Sequence, residues 1–501
     1  MTFQPPNEHV QRANRLEEQN WYHGVRSRDE IRSELKQPGD FIVRSTTQRG
    51  VVEIVLNVLG DNNELGNLTL ATTEKTETQP WQRYYLNILR ETPNRPEFNN
   101  VPDLITHYRL YPLPGGQRLK RGVSRPRWLL KHRAVQYSRN NKLGEGNFCE
   151  VFRGHIRDNV GSVISVAIKV CQRDETADAT AIEEARRSLM HEAKIMCRYK
   201  HENVIEFIGV ACDHFPIVIV MAFCPGGSLE GHLTHRHAEI SSLELILYTF
   251  EAAYGMRYLH AQGTIHRDLA VRNCLIGANG SIKIADFGLS KLVGEFQNQN
   301  DVMRQIPLRW MAPETLSHNP LYSLNSDVWS YGVMCFEIFN QGLAPFHGNT
   351  DHRAVSRAIR QLNMPVLPEK MPDVVKSIVR EIWVRDPEQR PNFKQIVPRL
   401  LDYLCDHMSE FPAVDQLIVN KIDGVHRTAI LSKPRTEVLR SDTMATSKES
   451  VSDVSTRRRR TASRRPLRRS SRSTFSQTRS STRGSSQADS TERRTHSSED
   501  H

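Results

Sequence analysis

The stretch Ile265-His266-Arg267-Asp268-Leu269-Ala270-Val271-Arg272-Asn273 decides how the rest of the chain is read. Upstream, Leu243 to Leu259 is a largely apolar run with the length and spacing of a buried helix, and downstream Ser281 to Ala285 has the short apolar character of a strand. The stretch between them is therefore expected to be a loop pinned by packed elements, which is where reactive side chains are commonly placed. It gathers a carboxylate, two guanidinium groups, an imidazole and a carboxamide.

His-Arg-Asp-Leu with an asparagine five residues after the aspartate resembles the catalytic loop of the protein kinases. Other motifs follow in the order that family requires. Asp286-Phe287-Gly288 lies downstream, a weak signal alone that gains weight from the loop before it. Leu143-Gly144-Glu145-Gly146-Asn147-Phe148-Cys149-Glu150-Val151 resembles the glycine-rich loop, with Cys149 in place of the third glycine. Val166-Ala167-Ile168-Lys169 comes two strands later, and the amphipathic run Ile182 to Arg198 supplies Glu192. The resemblance implies phosphoryl transfer from ATP, a chemistry of positioning and charge neutralisation. Asp268 is then the base for the substrate hydroxyl, Asn273 and Asp286 the ligands of Mg2+ (or Mn2+), and Lys169, oriented by Glu192, the partner of the phosphates. Leu143, Gly144, Gly146, Val151, Ala167 and Lys169 are expected around ATP, with Met221 and Cys224 in the hinge and Leu275 beneath the adenine. Glu314 and Arg390, in Ala312-Pro313-Glu314 and Asp386 to Pro391, are expected to form a buried ion pair. His232, His235 and His237 lack a completing cysteine or carboxylate and read as a solvated helix face.

Two local features bear on the acceptor. Alanine and Arg272 replace the lysine that serine/threonine kinases place after the catalytic aspartate, so Arg272 joins the expected catalytic set. Pro307-Leu308-Arg309-Trp310-Met311-Ala312-Pro313-Glu314 resembles the tyrosine-kinase platform, whose proline and tryptophan wall a phenolic ring. The chain is most similar to the Fes/Fer group of non-receptor tyrosine kinases over about residues 21–405. Between Asp286 and Glu314 it has no tyrosine, and Ser290 is the early hydroxyl. Glu295 or Asp301 would then meet Arg267 in place of a phosphate.

Trp21-Tyr22-His23-Gly24, a helical pattern from Arg28 to Leu35, and Gly39-Asp40-Phe41-Ile42-Val43-Arg44-Ser45-Thr46 resemble the opening of an SH2 domain. Alternation places Phe41 and Val43 on one face of the strand and Ile42 and Arg44 on the other. A guanidinium ending a buried strand is costly unless it meets an anion, and its fork fits a phosphate. Arg44 is the expected phosphate anchor, with Ser45, Thr46 and Thr47 as further donors and Arg28 as a second guanidinium. Strands are expected at Val51 to Leu59 and Arg83 to Leu89, separated by a polar insert from Asp61 to Pro80, and a helix at Val101 to Leu110. Tyr84 stands where the family usually has a pocket histidine.

The expected architecture is multidomain α+β. A polar lead (1–20) precedes an SH2 domain (21–112) with a central antiparallel sheet flanked by two helices. A linker (113–135), docked through Trp128 to Leu130, leads to a bilobal kinase (136–405) and a disordered basic tail (406–501). One segment of that tail matches the whole formal charge of +11, because Arg457 to Arg483 holds eleven arginines with no lysine and no acid, and the rest of the chain is close to neutral. Its composition offers little to bury, and its basic tracts suit anionic lipid, RNA or importin. The eight cysteines show no C-x-x-C spacing, and no apolar run approaches the ~18 residues of a membrane span. A cytoplasmic protein without leader or lipid anchor is expected, recruited to the inner face of the plasma membrane by phosphotyrosine proteins, with nuclear entry through the tail. Two other readings stay open: a scaffold whose work is phosphotyrosine binding, suggested by Cys149 and Tyr84, and an RNA-binding tail.

Overall fold

The computed structural model describes residues 15–409, apart from 49–50, 76–80, 146–148, 158–160, 172–178, 237, 239, 293–306, 318 and 408. Gly146, His237, Glu295, Asp301, residues 1–14 and the tail beyond 409 lie outside the described residues.

The chain first builds β1 (Tyr22–Val25), α1 (Arg28–Arg32), β2 (Asp40–Gln48), β3 (Val51–Leu59), β4 (Leu65–Thr72), β5 (Tyr84–Leu86), α2 (Val101–Leu110) and β6 (Arg121–Gly122). The strands form one sheet in the order β1-β2-β3-β4-β5, with β6 also on β2. Alternation along β2 sorts its side chains. Phe41 and Val43 join Tyr22, Leu56 and Leu86 against Leu104, Ile105 and Tyr108 of α2, while Ile42 packs with Ile31 and Leu35 on the α1 side. Both helices begin on side-chain caps: Ser27 and Glu30 form a reciprocal capping box, and Asn100 accepts from the Asp103 amide.

One strand was not foreseen. The polar insert from Asp61 to Pro80 contains β4, in which Asn67 is exposed and Thr69 half-buried, so its apolar signal is diluted. Tyr84 is correspondingly placed in β5, paired with Thr72 and Phe98 and packed on the α2 side of the sheet.

After this domain, β7 (Leu129–Leu130) adds in parallel to β11 (Phe207–Ala211), which places the linker's Trp128 to Leu130 against the next domain. That domain's sheet also contains β8 (Val135–Glu145), β9 (Cys149–Arg157), β10 (Val163–Cys171) and β12 (Val218–Ala222), in the order β7-β11-β12-β10-β9-β8. A long helix, α3 (Ala179–Met196), crosses it between β10 and β11. The second lobe is helical: α4 (Leu229–Arg236), α5 (Ser242–Ala261), α6 (Leu324–Phe339), α7 (His352–Arg360), α8 (Asp373–Ile382) and α9 (Phe393–Asp406). Its short strands, β13 (Thr264–Ile265), β14 (Cys274–Ile276), β15 (Ile282–Ile284) and β16 (Lys291–Leu292), pair as β13 with β16 and β14 with β15. α5 is buried on nearly every face, as its apolar run requires, and forms the floor on which the loop at 265–273 rests.

The two domains touch closely. The Val25 amide donates to the Cys212 carbonyl at 2.6 Å, and Tyr22 Oη to the Asp213 carbonyl at 2.8 Å. Gly24 has φ +70°, and a Cβ there would lie 2.1 Å from the Cys212 carbonyl oxygen, so only glycine permits this approach. Arg125 of the linker pairs with Asp213 at 2.5 Å.

Candidate active site

The loop after α5 is held from beneath by one carboxylate. Asp327, fully buried in α6, accepts from the His266 amide at 2.7 Å and the Arg267 amide at 2.9 Å. Arg267 (φ 70°) and Asp286 (φ 59°) both adopt left-handed backbone, a conformation that costs a non-glycine residue about 1–3 kcal/mol and tends to occur at functional sites. The His266 ring meets Phe287 edge-on at 5.1 Å, which locks the two segments together.

Asp268 is oriented from two sides. Arg272 Nη2 donates to one carboxylate oxygen, and Asn273 Nδ2 donates to the other at 2.7 Å. Burial pushes the Asp268 carboxyl above its usual range, and the nearby Arg272 charge only partly offsets this. Arg272 also stacks over Trp310 at 4.2 Å. Trp310 Nε1 in turn donates to Glu337 at 3.0 Å, and the same carboxylate accepts from the Val271 amide at 3.2 Å. Glu337 escaped the sequence reading because an acid inside an apolar helix carries no motif. Burial pushes its carboxyl up to about 8.

Across the cleft, Lys169 Nζ donates to both oxygens of Glu192 at 2.8 Å and lies 3.3 Å from Asp286 Oδ1. Burial alone would lower the Lys169 pKa, but the two carboxylates hold it above its ordinary value. Asp286, deep in the cleft although half of its side-chain surface stays accessible, shows the converse: desolvation there raises it, and the Lys169 charge brings it below the usual range. Lys169 faces Val151 in the β9–β10 ladder, Ala167 faces Met221 in β10–β12, and Gly144 pairs with Val151. Leu275 bridges Ser228 just past the hinge, Cys224 is buried beside it, and Leu143 is exposed at the rim. The donor set fits a hard cation and a polyphosphate. Asp286 is half exposed and Asn273 offers a carboxamide oxygen, both oxygen donors of the kind Mg2+ prefers, while Lys169 supplies a positive charge.

Arg267 stacks over Tyr322 at 4.1 Å, and Ser290 is buried with its hydroxyl on the His266 carbonyl. The expected Glu314–Arg390 pair is bidentate, at 2.6 and 2.8 Å. His232 departs from the expected solvated face: it is buried, edge-on to Tyr248, while His235 is exposed.

In the N-terminal domain Arg44 is buried, with Nε on Asn57 Oδ1 at 2.8 Å, Nη1 on the Arg26 carbonyl at 3.0 Å and Nη2 on Asn67 Oδ1 at 3.2 Å. Burial disfavours its charge, as do the neighbouring Arg186 and Arg28, against an opposing attraction from Glu30. Thr46 lies on the Arg44 side of β2. Ser45 does not: the same alternation turns it to the other face, where its hydroxyl meets Tyr22 Oη at 2.8 Å. Nor does Tyr84 approach the guanidinium, a place taken by Asn67. Arg28 is tied to the Leu65 carbonyl at 2.8 Å. Glu30, on α1, reaches into the next domain, 3.5 Å from Arg186 and 3.7 Å from Lys194 of α3, the helix that carries Glu192.

The family described as protein tyrosine and serine/threonine kinase matches residues 137–400. The chain is 34% identical over 389 residues to the tyrosine-protein kinase Fer of Mus musculus, covering 76% of this chain but 43% of that protein. It is 31% identical to Fer-related kinase 1 of Caenorhabditis elegans, over 76% of this chain and 93% of that protein. With spermatocyte protein spe-8 of the same organism it shares 32% identity over 84% of this chain and 79% of the relative. The chain thus spans less than half the length of the Fer proteins but most of these two nematode relatives. The loop oriented on Asp327, the Lys169–Glu192 pair facing it and these likenesses agree: the chain belongs to the protein tyrosine and serine/threonine kinase family, as a Fes/Fer-like kinase.

Proposed function

We propose that the protein transfers the γ-phosphate of ATP to the hydroxyl of protein tyrosines. The observation that carries this reading is the opposition of Asp268, held by Arg272 and Asn273, to the Lys169–Glu192–Asp286 cluster across one cleft. Asp268 accepts the phenolic proton as the oxygen attacks the γ-phosphorus and the bond to the bridging oxygen breaks, leaving ADP. Its raised pKa suits a proton acceptor whose carboxylate must still ionise near neutrality. Lys169 holds phosphate oxygens, and Glu192 keeps the ammonium from swinging away. Asn273 and Asp286 would hold Mg2+ (or Mn2+), which neutralises phosphate charge when bound. Tyrosine is favoured over serine because Arg272 and Trp310 form one stacked unit beside the base. The aromatic wall of the platform is thereby fixed relative to Asp268.

The N-terminal domain is read as an SH2 domain that recruits the kinase to phosphotyrosine proteins in intracellular signalling. Support comes from Arg44, a buried guanidinium with positive neighbours, whose fork is pre-set by two asparagines and a carbonyl for a dianionic phosphate. A cytoplasmic location with recruitment to the inner face of the plasma membrane follows from that reading. The basic tail would add attraction to anionic lipid, RNA or importin.

The test compares wild type with Asp268→Asn on tyrosine, serine and threonine versions of one peptide. Wild type should phosphorylate the tyrosine peptide and the variant should lose about 10²–10⁴-fold in kcat. Equal rates for the two proteins, or a preference for serine, would overturn the assignment.

A further inference from the structure

His191 stands one residue before Glu192 in α3 and is half-buried. Successive residues on a helix point about 100° apart, so the two side chains leave α3 in different directions. Glu192 meets Lys169 Nζ at 2.8 Å, whereas the His191 ring reaches the segment after Asp286-Phe287-Gly288, where its Nε2 lies 3.2 Å from the Ser290 carbonyl. A carbonyl oxygen only accepts, so Nε2 is the donor and carries the proton.

Ser290 is buried, and each of its polar groups is engaged. Its amide donates to the Phe287 carbonyl at 3.0 Å, its hydroxyl donates to the His266 carbonyl at 3.2 Å, and its own carbonyl accepts from His191. The next residue, Lys291, is the partner of Ile265 where β16 pairs with β13, one residue before His266. Three parts of the site therefore converge on Ser290: the helix that carries Glu192, the turn that carries Asp286 and the loop that carries Asp268. The helix and the turn are already close there, since a Cβ on Gly288 would lie 3.2 Å from Asp286 Oδ1 and 3.7 Å from Glu192 Oε2. Lys169 Nζ bonds to Glu192 and lies 3.3 Å from Asp286 Oδ1, so the spacing of α3 from that turn decides whether one ammonium can serve both carboxylates.

We propose that His191 is a positioning residue of the phosphoryl-transfer site. Its bond to the Ser290 carbonyl clasps α3 to the segment after Gly288 and so holds Glu192, Lys169 and Asp286 in one arrangement with the catalytic loop. The catalytic consequence rests on the kinase reading above, whereas the clasp itself does not depend on turnover.

Two substitutions in the full chain separate the hydrogen bond from the volume of the ring. His191→Phe keeps a planar ring without a donor, and His191→Gln keeps an N–H donor without the ring. Hydrogen exchange followed by mass spectrometry, without nucleotide, should show the peptide from Phe287 to Leu292 exchanging about tenfold faster in His191→Phe and near the wild-type rate in His191→Gln. With a tyrosine peptide and saturating Mg-ATP, His191→Phe should lose about tenfold in kcat with little change in the KM for peptide, and His191→Gln should return to within about threefold of wild type. The Phe substitution should cost much less when added to Glu192→Gln, because both act through the same ion pair. Melting temperatures keep assays below the unfolding range, so a fall in kcat is read on folded protein. Wild-type kcat in His191→Phe overturns the proposal, and so does an equal loss in the Phe and Gln variants or unchanged exchange in His191→Phe. Absence of turnover in wild type would instead sink the kinase reading, with the exchange rates still deciding whether the clasp exists.

Discussion

Asp268 and Arg44 illustrate two ways the fold fixes a charged side chain. Asp268 is aimed by donors on both oxygens and kept in a buried site that raises its proton affinity. Arg44 is aimed by acceptors on all three guanidinium nitrogens. Its fork is what a lysine lacks, because an ammonium is a single point of charge. Arg44→Lys should therefore weaken binding of a phosphotyrosine peptide by on the order of 2 kcal/mol or more, about thirtyfold in Kd. Titration of labelled phosphopeptide into full chain checks this, alongside phosphorylation of an unrelated tyrosine peptide, which should persist. Unaltered Kd in the variant would remove Arg44 from the phosphate site.

At the scale of elements, α6 matters as much as the loop it supports. Asp327 near its start holds the backbone of His266 and Arg267, and Glu337 near its end joins Val271 to Trp310. One helix thus fixes both the loop that carries Asp268 and the segment that carries Trp310. Glu337 has a folded pKa of about 8, raised by burial above an unfolded value near 4.5. Between those values the folded state binds the extra proton, so this group's contribution to stability falls as pH rises through the window. Glu337→Gln keeps the shape without the charge. The melting temperature of the variant minus that of wild type should be more positive at pH 8.5 than at pH 6, and a difference independent of pH would show that Glu337 does not titrate in this range.

On the scale of the whole molecule, the N-terminal domain meets the catalytic domain at two places. The strand β1 is seated on Cys212 and Asp213, and Glu30 faces Arg186 and Lys194 on α3. The second contact falls on the helix that carries Glu192, so loss of that contact is expected to weaken the Lys169 pair. The segment between Asp286 and Glu314 contains no tyrosine, and Ser290 is buried on the catalytic loop. Arg186→Glu should lower kcat about fivefold, and Glu30→Arg in the same chain should recover much of the loss. Exhaustive treatment of wild type with tyrosine and serine/threonine phosphatases should cost less than the Arg186 substitution. A tenfold loss from phosphatase alone would point to a phosphate-dependent switch.

The amino-acid sequence by itself determined whatever depends on neighbours in the chain. His266 to Asn273, Val166 to Lys169 and the Asp286 motif declare their chemistry within a few residues, because one loop or strand suffices to aim them. The period-two pleat of β2 even separates Ser45 from Arg44, although the hydroxyl reads as a phosphate donor when composition alone is weighed. Only the tertiary structure decided which distant groups complete each site. Asn67 stands beside Arg44 because β3 and β4 pair in a register that the polar composition of β4 conceals. Glu337 reaches Val271 across 66 residues of chain, and Glu30 meets Arg186 across a domain boundary. Local spacing sets the direction of a side chain, whereas burial and partner depend on long-range packing, and those two quantities govern pKa, docking and regulation in this protein.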